Sequence, residues 1–148
     1  MNVEPLLAGS RDKLMAALAL LFASVDTYPG FDPQRTYTPK ECKPFDALSD
    51  RYLRAFEFSL KFFRTWERVR EAGPSESFRD LLLRMEKLSF ISDAGLWLRL
   101  RDVHNRIAHE YLPGELEKIY LAIIGPGDQE MRRLAQKILE AVPEEDGL

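Results

Sequence analysis

The residues best suited to chemistry stand together in the stretch "RDVHNRIAHEY", residues 101–111. It holds both histidines of the chain, His104 and His109, together with two arginines and a tyrosine. Imidazole groups transfer protons near neutral pH, and guanidinium groups stabilise negative charge on phosphates or carboxylates. The stretch is therefore a candidate for general acid–base chemistry, with the polar end of a helix as the alternative.

The spacing of these residues on an ideal helix limits how they can cooperate. At about 100° per residue, the two histidines lie about 140° apart around the helix axis. One straight helix therefore cannot direct both side chains to one point. Arg101, Asn105 and His109 follow at intervals of four residues and predict a single polar stripe. Cooperation of the histidines requires that the helix unwinds before Pro113, or that a second copy of the helix supplies half of the site.

Every residue of the stretch also has an ordinary structural role. The apolar side chains predict a core-facing stripe, made up of Leu96, Leu100, Val103, Ile107 and Tyr111. His104 borders that stripe, which fits a buried, hydrogen-bonded histidine, and His109 near the helix C-terminus is favourable with the helix dipole when protonated. Arg101 and Arg106 would ordinarily be solvated, with Arg106 paired to Asp102. The structural and the functional interpretations both stay open on these grounds.

Composition and charge exclude several classes of site and partner. One cysteine, Cys42, and two histidines cannot form a four-ligand Cys/His zinc site or an intrachain disulfide, and we expect no metal and no cofactor. The formal net charge of −3 argues against double-stranded DNA as a partner. The longest apolar run, residues 14–23, is shorter than the roughly 20 residues that a bilayer span takes. The start "MNVEPLLAGS" lacks the basic residues of a secretory signal, so we predict a cytoplasmic protein.

The elements that must position the stretch are predicted to be helices. Apolar residues recur at intervals of three and four, and strand signals are scarce, which indicates an all-α, up-and-down bundle of about five helices. We expect one domain over residues 1–148, with its core at about 11–140. Ser10 is the predicted cap of the first helix, which runs to about Thr27 and is apolar on nearly all sides. It should therefore be widely covered, by the bundle or by a partner subunit.

The remaining boundaries follow from proline, glycine and cap residues. Residues 28–45 hold four prolines and are predicted to be a long loop, followed by a helix over about 46–72. The apolar stripe of that helix is predicted to be core rather than a base-stacking platform, and comprises Leu48, Tyr52, Ala55, Phe62, Phe63, Trp66 and Val69. Later helices are predicted at about 77–88, 93–111, 115–124 and 128–141, the last two separated by "GPG". The acidic tail 142–148 is predicted to be frayed.

The order of residues in "HNRIAHEY", near the end of a helix in an all-α chain, resembles the HEPN superfamily. The resemblance is greatest to its HepT-like branch. The small proteins of that branch act as partners or as substrate-binding subunits of nucleotidyltransferases. The family motif is an arginine, a polar residue, three residues, a histidine, one residue and a tyrosine. Asn105, His109 and Tyr111 match its last three fixed positions. The layout agrees over about residues 11–140, with "SFRDLLLRMEKL" before the motif helix, a tryptophan and an arginine within it, and "LEKIY" after it.

The chain departs from the family at the motif arginine, whose position is taken by His104. The resemblance implies a metal-independent endoribonuclease, the toxin of a two-gene toxin–antitoxin system, with a composite site at the cleft of a homodimer. In that chemistry a 2′-hydroxyl attacks the adjacent phosphate, His109 moves the proton, and a cation stabilises the developing charge. An imidazole is a cation only near or below pH about 6.5 and lacks the guanidinium fork. Arg101, or Arg106, would then bind the phosphate in its place.

Tyr111 carries a second implied role. In the HepT-like branch the motif tyrosine accepts AMP from a small nucleotidyltransferase (MntA-like) encoded by a neighbouring gene. The hydroxyl must be reachable for that reaction, whereas the helical wheel places Tyr111 beside the core; Pro113, two residues later, favours a departure from regular helix.

Three hypotheses therefore stand side by side for this chain. It is an RNA-cleaving toxin, a non-catalytic partner or substrate-binding subunit of a nucleotidyltransferase, or a structural bundle whose motif is vestigial. We expect a homodimer in each case, and no membrane partner.

Overall fold

A computed structural model describes residues 4–144 and confirms the all-α prediction. These residues form helices, and no strand occurs among them. The longest connection between helices comprises residues 27–38. The helices are α1 (Glu4–Asp26), α2 (Pro39–Arg70), α3 (Phe78–Lys87), α4 (Ala94–Ile107), α5 (Pro113–Ala122) and α6 (Asp128–Ala141). A π-helical turn, Ile123–Gly127, joins α5 to α6 without a break, so the bundle consists of five helical bodies.

The predicted break at residues 125–127 is therefore wrong. The wider π turn holds Pro126 inside continuous helix, although proline ordinarily ends an α-helix. Gly127 is buried there, and a Cβ atom at this position would lie 3.0 Å from the carbonyl oxygen of Ala122 and 3.7 Å from the Tyr52 ring. The glycine thus allows a close approach to the Ala122 carbonyl oxygen within the π turn rather than ending the helix.

The first helix begins at Glu4, six residues before the predicted cap, so Ser10 lies inside it. Pro5 occupies its first turn, where a missing N–H costs little. Helices α1 and α2 pack antiparallel, and the Arg51 guanidinium of α2 donates 2.8 Å to the Ser24 hydroxyl of α1. The bundle buries one side of α1 but leaves Leu6 and Leu20 about half exposed, so its cover is narrower than the apolar sequence predicts.

The predicted loop 28–45 is too long, because α2 starts at Pro39. A capping box sets this start. The Thr38 side chain accepts 3.3 Å from the Glu41 amide, and the Glu41 carboxylate accepts 3.0 Å from the Thr38 amide. Pro39 then stands at the first helical position, which it favours, and Pro44 lies inside the helix. Two of the four prolines that predict a loop therefore lie in the first turns of a helix.

The core forms around the aromatic side of α2, as predicted. Five residues of the predicted stripe, Leu48 to Phe63, are buried, and Trp66 and Val69 are partly buried. Tyr52 is fully buried and donates 2.6 Å to the carbonyl oxygen of Leu100, which fixes α4 against α2.

A buried carboxylate positions the start of α4. Glu130 of α6 accepts 2.6 Å from the Trp97 indole and 2.8 Å from the Ser92 hydroxyl. These contacts hold the helix that carries most of the candidate residues.

The predicted frayed tail begins too early. Val142 is buried, and the Arg11 guanidinium of α1 donates 3.2 Å to its carbonyl oxygen and 2.8 Å to that of Pro143. The remainder of the predicted tail, residues 145–148, lies outside the described residues, as do residues 1–3. Across 4–144, no helix combines the length and the apolar character that crossing a bilayer takes.

Candidate functional site

The motif helix ends at Ile107, four residues earlier than predicted. The backbone N–H groups of His109 and Glu110 both donate to the Arg106 carbonyl oxygen, at 3.0 and 2.9 Å, and close its last turn. Pro113 begins α5 and holds the preceding Leu112 extended, which prevents one continuous helix. The helical wheel therefore applies only up to residue 107. His109 and Tyr111 lie in the α4–α5 connection, residues 108–112.

This early end brings both histidines to one cavity within a single subunit. The cavity has a volume of about 420 Å³ and is lined by Leu53, Glu57, His104, Asn105, Ala108 and His109. Unwinding before Pro113 is one of the two arrangements that cooperation of the histidines requires, and α4 does end before Pro113. A second copy of the helix is not needed to place them together.

His104 is the more constrained of the two histidines. Its side chain is 23% exposed, its ring lies 5.2 Å from the Phe56 ring, and its Nε2 lies 3.1 Å from the Glu57 carboxylate. Its Nδ1 lies 3.2 Å from the Asn105 side-chain oxygen. Both ring nitrogens therefore have a side-chain partner. The structure shows the expected hydrogen bonds of His104, but the side chain is only partly buried rather than buried.

His109, in contrast, is exposed at the rim of the same cavity. Within residues 4–144 its imidazole has no hydrogen-bond partner. A ring in this position is free to accept a proton from a bound substrate, which is what a general base requires. The two histidines therefore differ in kind: one is held by a carboxylate and the other is open to solvent.

Neither arginine of the motif lines this cavity. The Arg101 guanidinium lies 4.5 Å above the Phe78 ring of α3, so the predicted stripe of Arg101, Asn105 and His109 does not form one surface. Arg106 forms the predicted surface pair with Asp102, at 3.0 Å, and lies 4.0 Å from Glu115. The described lining residues include no arginine or lysine, and His104 is the lining residue that occupies the position of the motif arginine.

Tyr111 is 79% exposed, so its predicted place beside the core is wrong. It leaves the core because α4 has already ended, and the Glu110 carboxylate accepts 3.3 Å from its backbone N–H. With Tyr120 and acidic residues of α2, it lines a cavity of about 450 Å³ that shares Leu53 with the histidine cavity. Burial, reinforced by Asp46, raises the pKa of Tyr120 to about 12. Of these two tyrosines, Tyr111 is the reachable one.

The sequence gives no signal for two residues of the site. Glu57 and Leu53 lie on α2, more than forty positions before the motif, and only the packing of α2 against α4 brings them to it. Glu57 matters most, because its carboxylate places a negative charge beside the position of the missing arginine.

No group of three or more metal-binding side chains occurs in the described part of the chain. The absence of a metal and of a cofactor stays a prediction.

No family model matches this chain, and a search of curated proteins finds no significant match. The likeness to the HEPN superfamily therefore rests on the motif residues and the order of the helices.

Proposed function

We propose that this protein is a HepT-like HEPN endoribonuclease, the toxin of a two-gene system, that cleaves RNA without a metal at the His104–His109 cavity. The observation that carries the proposal is the presence of two different histidines on one open cavity. RNA cleavage by its own 2′-hydroxyl requires one group that takes a proton and one that gives a proton. The free ring of His109 suits the first task, and the carboxylate-held ring of His104 suits the second.

The proposed reaction balances with these groups alone. His109 takes the proton of the 2′-hydroxyl as the 2′-oxygen bonds to phosphorus. The bond from phosphorus to the 5′-oxygen breaks, leaving a 2′,3′-cyclic phosphate and a 5′-hydroxyl. Because Glu57 holds Nε2 of His104, the proton given to that oxygen comes from Nδ1, which exchanges its contact with Asn105 for the leaving oxygen. Glu57 orients His104, as carboxylates orient catalytic imidazoles elsewhere. His104 is thereby a functional replacement for the motif arginine, acting by proton transfer and charge rather than through a guanidinium fork.

A cleavage assay with single-stranded RNA in the presence of a chelator tests this function. We expect cyclic-phosphate products, a rate lowered about 10²–10⁴-fold by His109→Ala, and a large loss with His104→Ala. Glu76→Ala, an exposed change in the α2–α3 connection, serves as the control and should leave the rate unchanged. Absence of cleavage, cleavage that needs a divalent metal, or cleavage indifferent to His109→Ala would refute the proposal.

The partner of the proposed system is a small nucleotidyltransferase, and the exposure of Tyr111 favours it as the acceptor of AMP. Tyr111 lies two residues from His109, and their cavities share Leu53. An AMP group on this hydroxyl would add bulk and negative charge beside the histidine cavity and repel the phosphates of RNA. The exposed surface around Tyr111 would also be the contact surface in the alternative function, in which the chain has no nuclease activity and only binds the nucleotidyltransferase.

Mass spectrometry of the chain after incubation with the neighbouring nucleotidyltransferase, ATP and Mg²⁺ tests the acceptor. The expected product carries one AMP unit on Tyr111. Tyr111→Phe should remain unmodified, while Tyr37→Phe, a partly buried tyrosine in another connection, should be modified normally. Modification elsewhere, or none with an active enzyme, counts against this role. Modification without any RNA cleavage by the free chain would favour the non-catalytic partner.

The expected homodimer is also part of the proposal. The α4–α5 connection exposes Tyr111 and Leu112, at 79% and 52%, beside the open histidine cavity. A twofold pair of subunits is the commonest oligomer and would cover this cavity from the other side. Since one subunit already carries both histidines, a monomer by light scattering would refute the pairing without refuting cleavage.

A further inference from the structure

A basic groove lies between the first half of α1 and the second half of α2, outside the site described above. It has a volume of about 540 Å³ and is lined by Pro5, Leu6, Gly9, Ser10, Lys13, Phe58, Leu60, Lys61, Arg64, Thr65 and Arg68. No lining residue belongs to either motif cavity. Glu57 and Phe58 are neighbours in sequence, but they point about 100° apart around α2 and so serve different surfaces.

Four of the described lining residues are cations and none is an acid. This is a local departure for a chain whose formal net charge is −3. Lys13 and Arg68 form no ion pair with any residue in the described range, and the Lys61 ammonium lies 5.1 Å from the centre of the Phe58 ring. Arg64 is committed to Glu67 and to the Ser75 carbonyl oxygen, each at 3.0 Å. Three cations thus face the groove without a carboxylate to neutralise them.

Gly9 lines the groove on the side of α1. A Cβ atom at this position would meet nothing within 4 Å, so the packing of α1 does not require a glycine. Glycine inside a helix costs about 1 kcal/mol relative to alanine. The residue therefore weakens α1 slightly while leaving space beside the cations.

We propose that this groove binds consecutive phosphate groups, as in a nucleoside triphosphate or in a single-stranded nucleic acid. Cations in a concave surface concentrate anions, and Lys and Arg are the usual phosphate ligands in proteins. Lys61 and Arg68 are seven residues apart on α2, a span of about 10 Å along the helix. That length suits several phosphates in a row better than one carboxylate. The apolar wall formed by Leu6 and Phe58 offers a surface for a base beside them.

Calorimetric titration of the intact protein at low ionic strength tests the proposal with three probes: ATP, inorganic tripolyphosphate and a short single-stranded RNA. The RNA titration uses the His109→Ala protein so that the probe is not cleaved. We expect binding that weakens as salt is added. Lys61→Glu and Arg68→Glu should each weaken it about tenfold or more. Lys43→Glu, an equal charge change at an exposed position of the same helix, should have little effect.

Gly9→Phe separates the groove from general electrostatics, because it fills the space and leaves every charge in place. It should preserve the thermal unfolding transition and abolish binding of the probe that binds best. Binding of ATP and tripolyphosphate would identify free nucleotides as the source, and binding of RNA alone would identify a nucleic acid strand. No binding of any probe, or binding that Gly9→Phe leaves intact, would overturn the proposal. A loss with Lys43→Glu equal to that with Lys61→Glu would do the same.

Discussion

Two glutamates of α2, ten residues apart, occupy opposite environments. The Glu67 side chain is 1% exposed and accepts hydrogen bonds from Arg84 at 2.7 Å, from Arg64 at 3.0 Å, and from the backbone and hydroxyl of Ser75. The Glu57 side chain is 56% exposed and contacts His104 alone among the described ionisable groups, at the edge of a cavity. The Glu67 carboxylate has all its hydrogen bonds filled by the protein and stabilises the fold. The Glu57 carboxylate keeps unused acceptor capacity next to a histidine, so it is available for chemistry.

Glu67, Arg64, Ser75 and Arg84 form a hydrogen-bonded cluster that stabilises the turn between α2 and α3. Ser75 lies in that turn, and Arg84 of α3 also donates 2.6 Å to the carbonyl oxygen of Gly73. Three segments therefore depend on one buried carboxylate. The Glu57 contact, in contrast, joins only two side chains of helices that already pack through Tyr52 and Phe56.

The largest effect that the comparison predicts is on the stability of Glu67→Ala. Removing a buried carboxylate leaves the Arg84 guanidinium and the Ser75 groups without their partner, and we expect a loss of about 2–4 kcal/mol in the free energy of unfolding. Chemical denaturation measures this loss. Glu57→Ala is the matched control in the same helix and should cost about 0.5 kcal/mol or less. Equal losses for the two variants would abolish the distinction.

A smaller effect is predicted on the acid side of the stability profile. Burial alone would raise the pKa of the Glu67 carboxyl, but hydrogen bonds from Ser75 and Arg64 outweigh it and hold the pKa below its usual range. The folded state thus favours the charged form. The stabilisation is complete above the unfolded pKa of about 4.3 and is lost as the pH falls through the lower folded pKa.

Denaturation curves at several pH values below 5 test this dependence. The unmodified chain should lose stability more steeply than Glu67→Gln, which has no carboxyl to titrate at this position. Parallel profiles for the two proteins would show that Glu67 does not contribute to the acid limb.

The sequence predicts the helices well, because their apolar spacing reflects a core that α2 and α4 share. It predicts the ends of the helices poorly near proline, because a proline can end a helix, begin one or lie inside a π turn. Pro39 begins a helix instead of extending a loop, and Pro126 is held in a π turn instead of ending a helix. These outcomes depend on the Thr38 capping box and on the close approach of Gly127 to the Ala122 carbonyl oxygen, of which only the first is visible in the sequence.

The candidate site also has features that the sequence predicts and features that only the fold reveals. The cavity shared by His104, Asn105 and His109 depends on the end of α4 at Ile107, which a straight helical wheel does not predict. The proposed roles of these residues stay predictions. The position of Arg101 does not follow from a helical wheel, because an aromatic ring on another helix draws its guanidinium away. Glu57 lies 47 positions before His104, a distance that only the fold can close.

The smallest effect on stability, and the most informative one on activity, is predicted for Glu57→Gln. The side chain is largely exposed, so the free energy of unfolding should change by no more than about 0.5 kcal/mol. The amide keeps the shape of the side chain but not its charge, so it orients the His104 ring less firmly. If His104 donates a proton to the leaving oxygen, cleavage should fall by about an order of magnitude while the substrate affinity changes little.

A double-mutant cycle distinguishes this role from a merely structural one. In the His104→Ala background there is no imidazole for residue 57 to orient, so Glu57→Gln should no longer change the cleavage rate. The same loss from Glu57→Gln in both backgrounds would show that Glu57 acts on cleavage by a route other than His104.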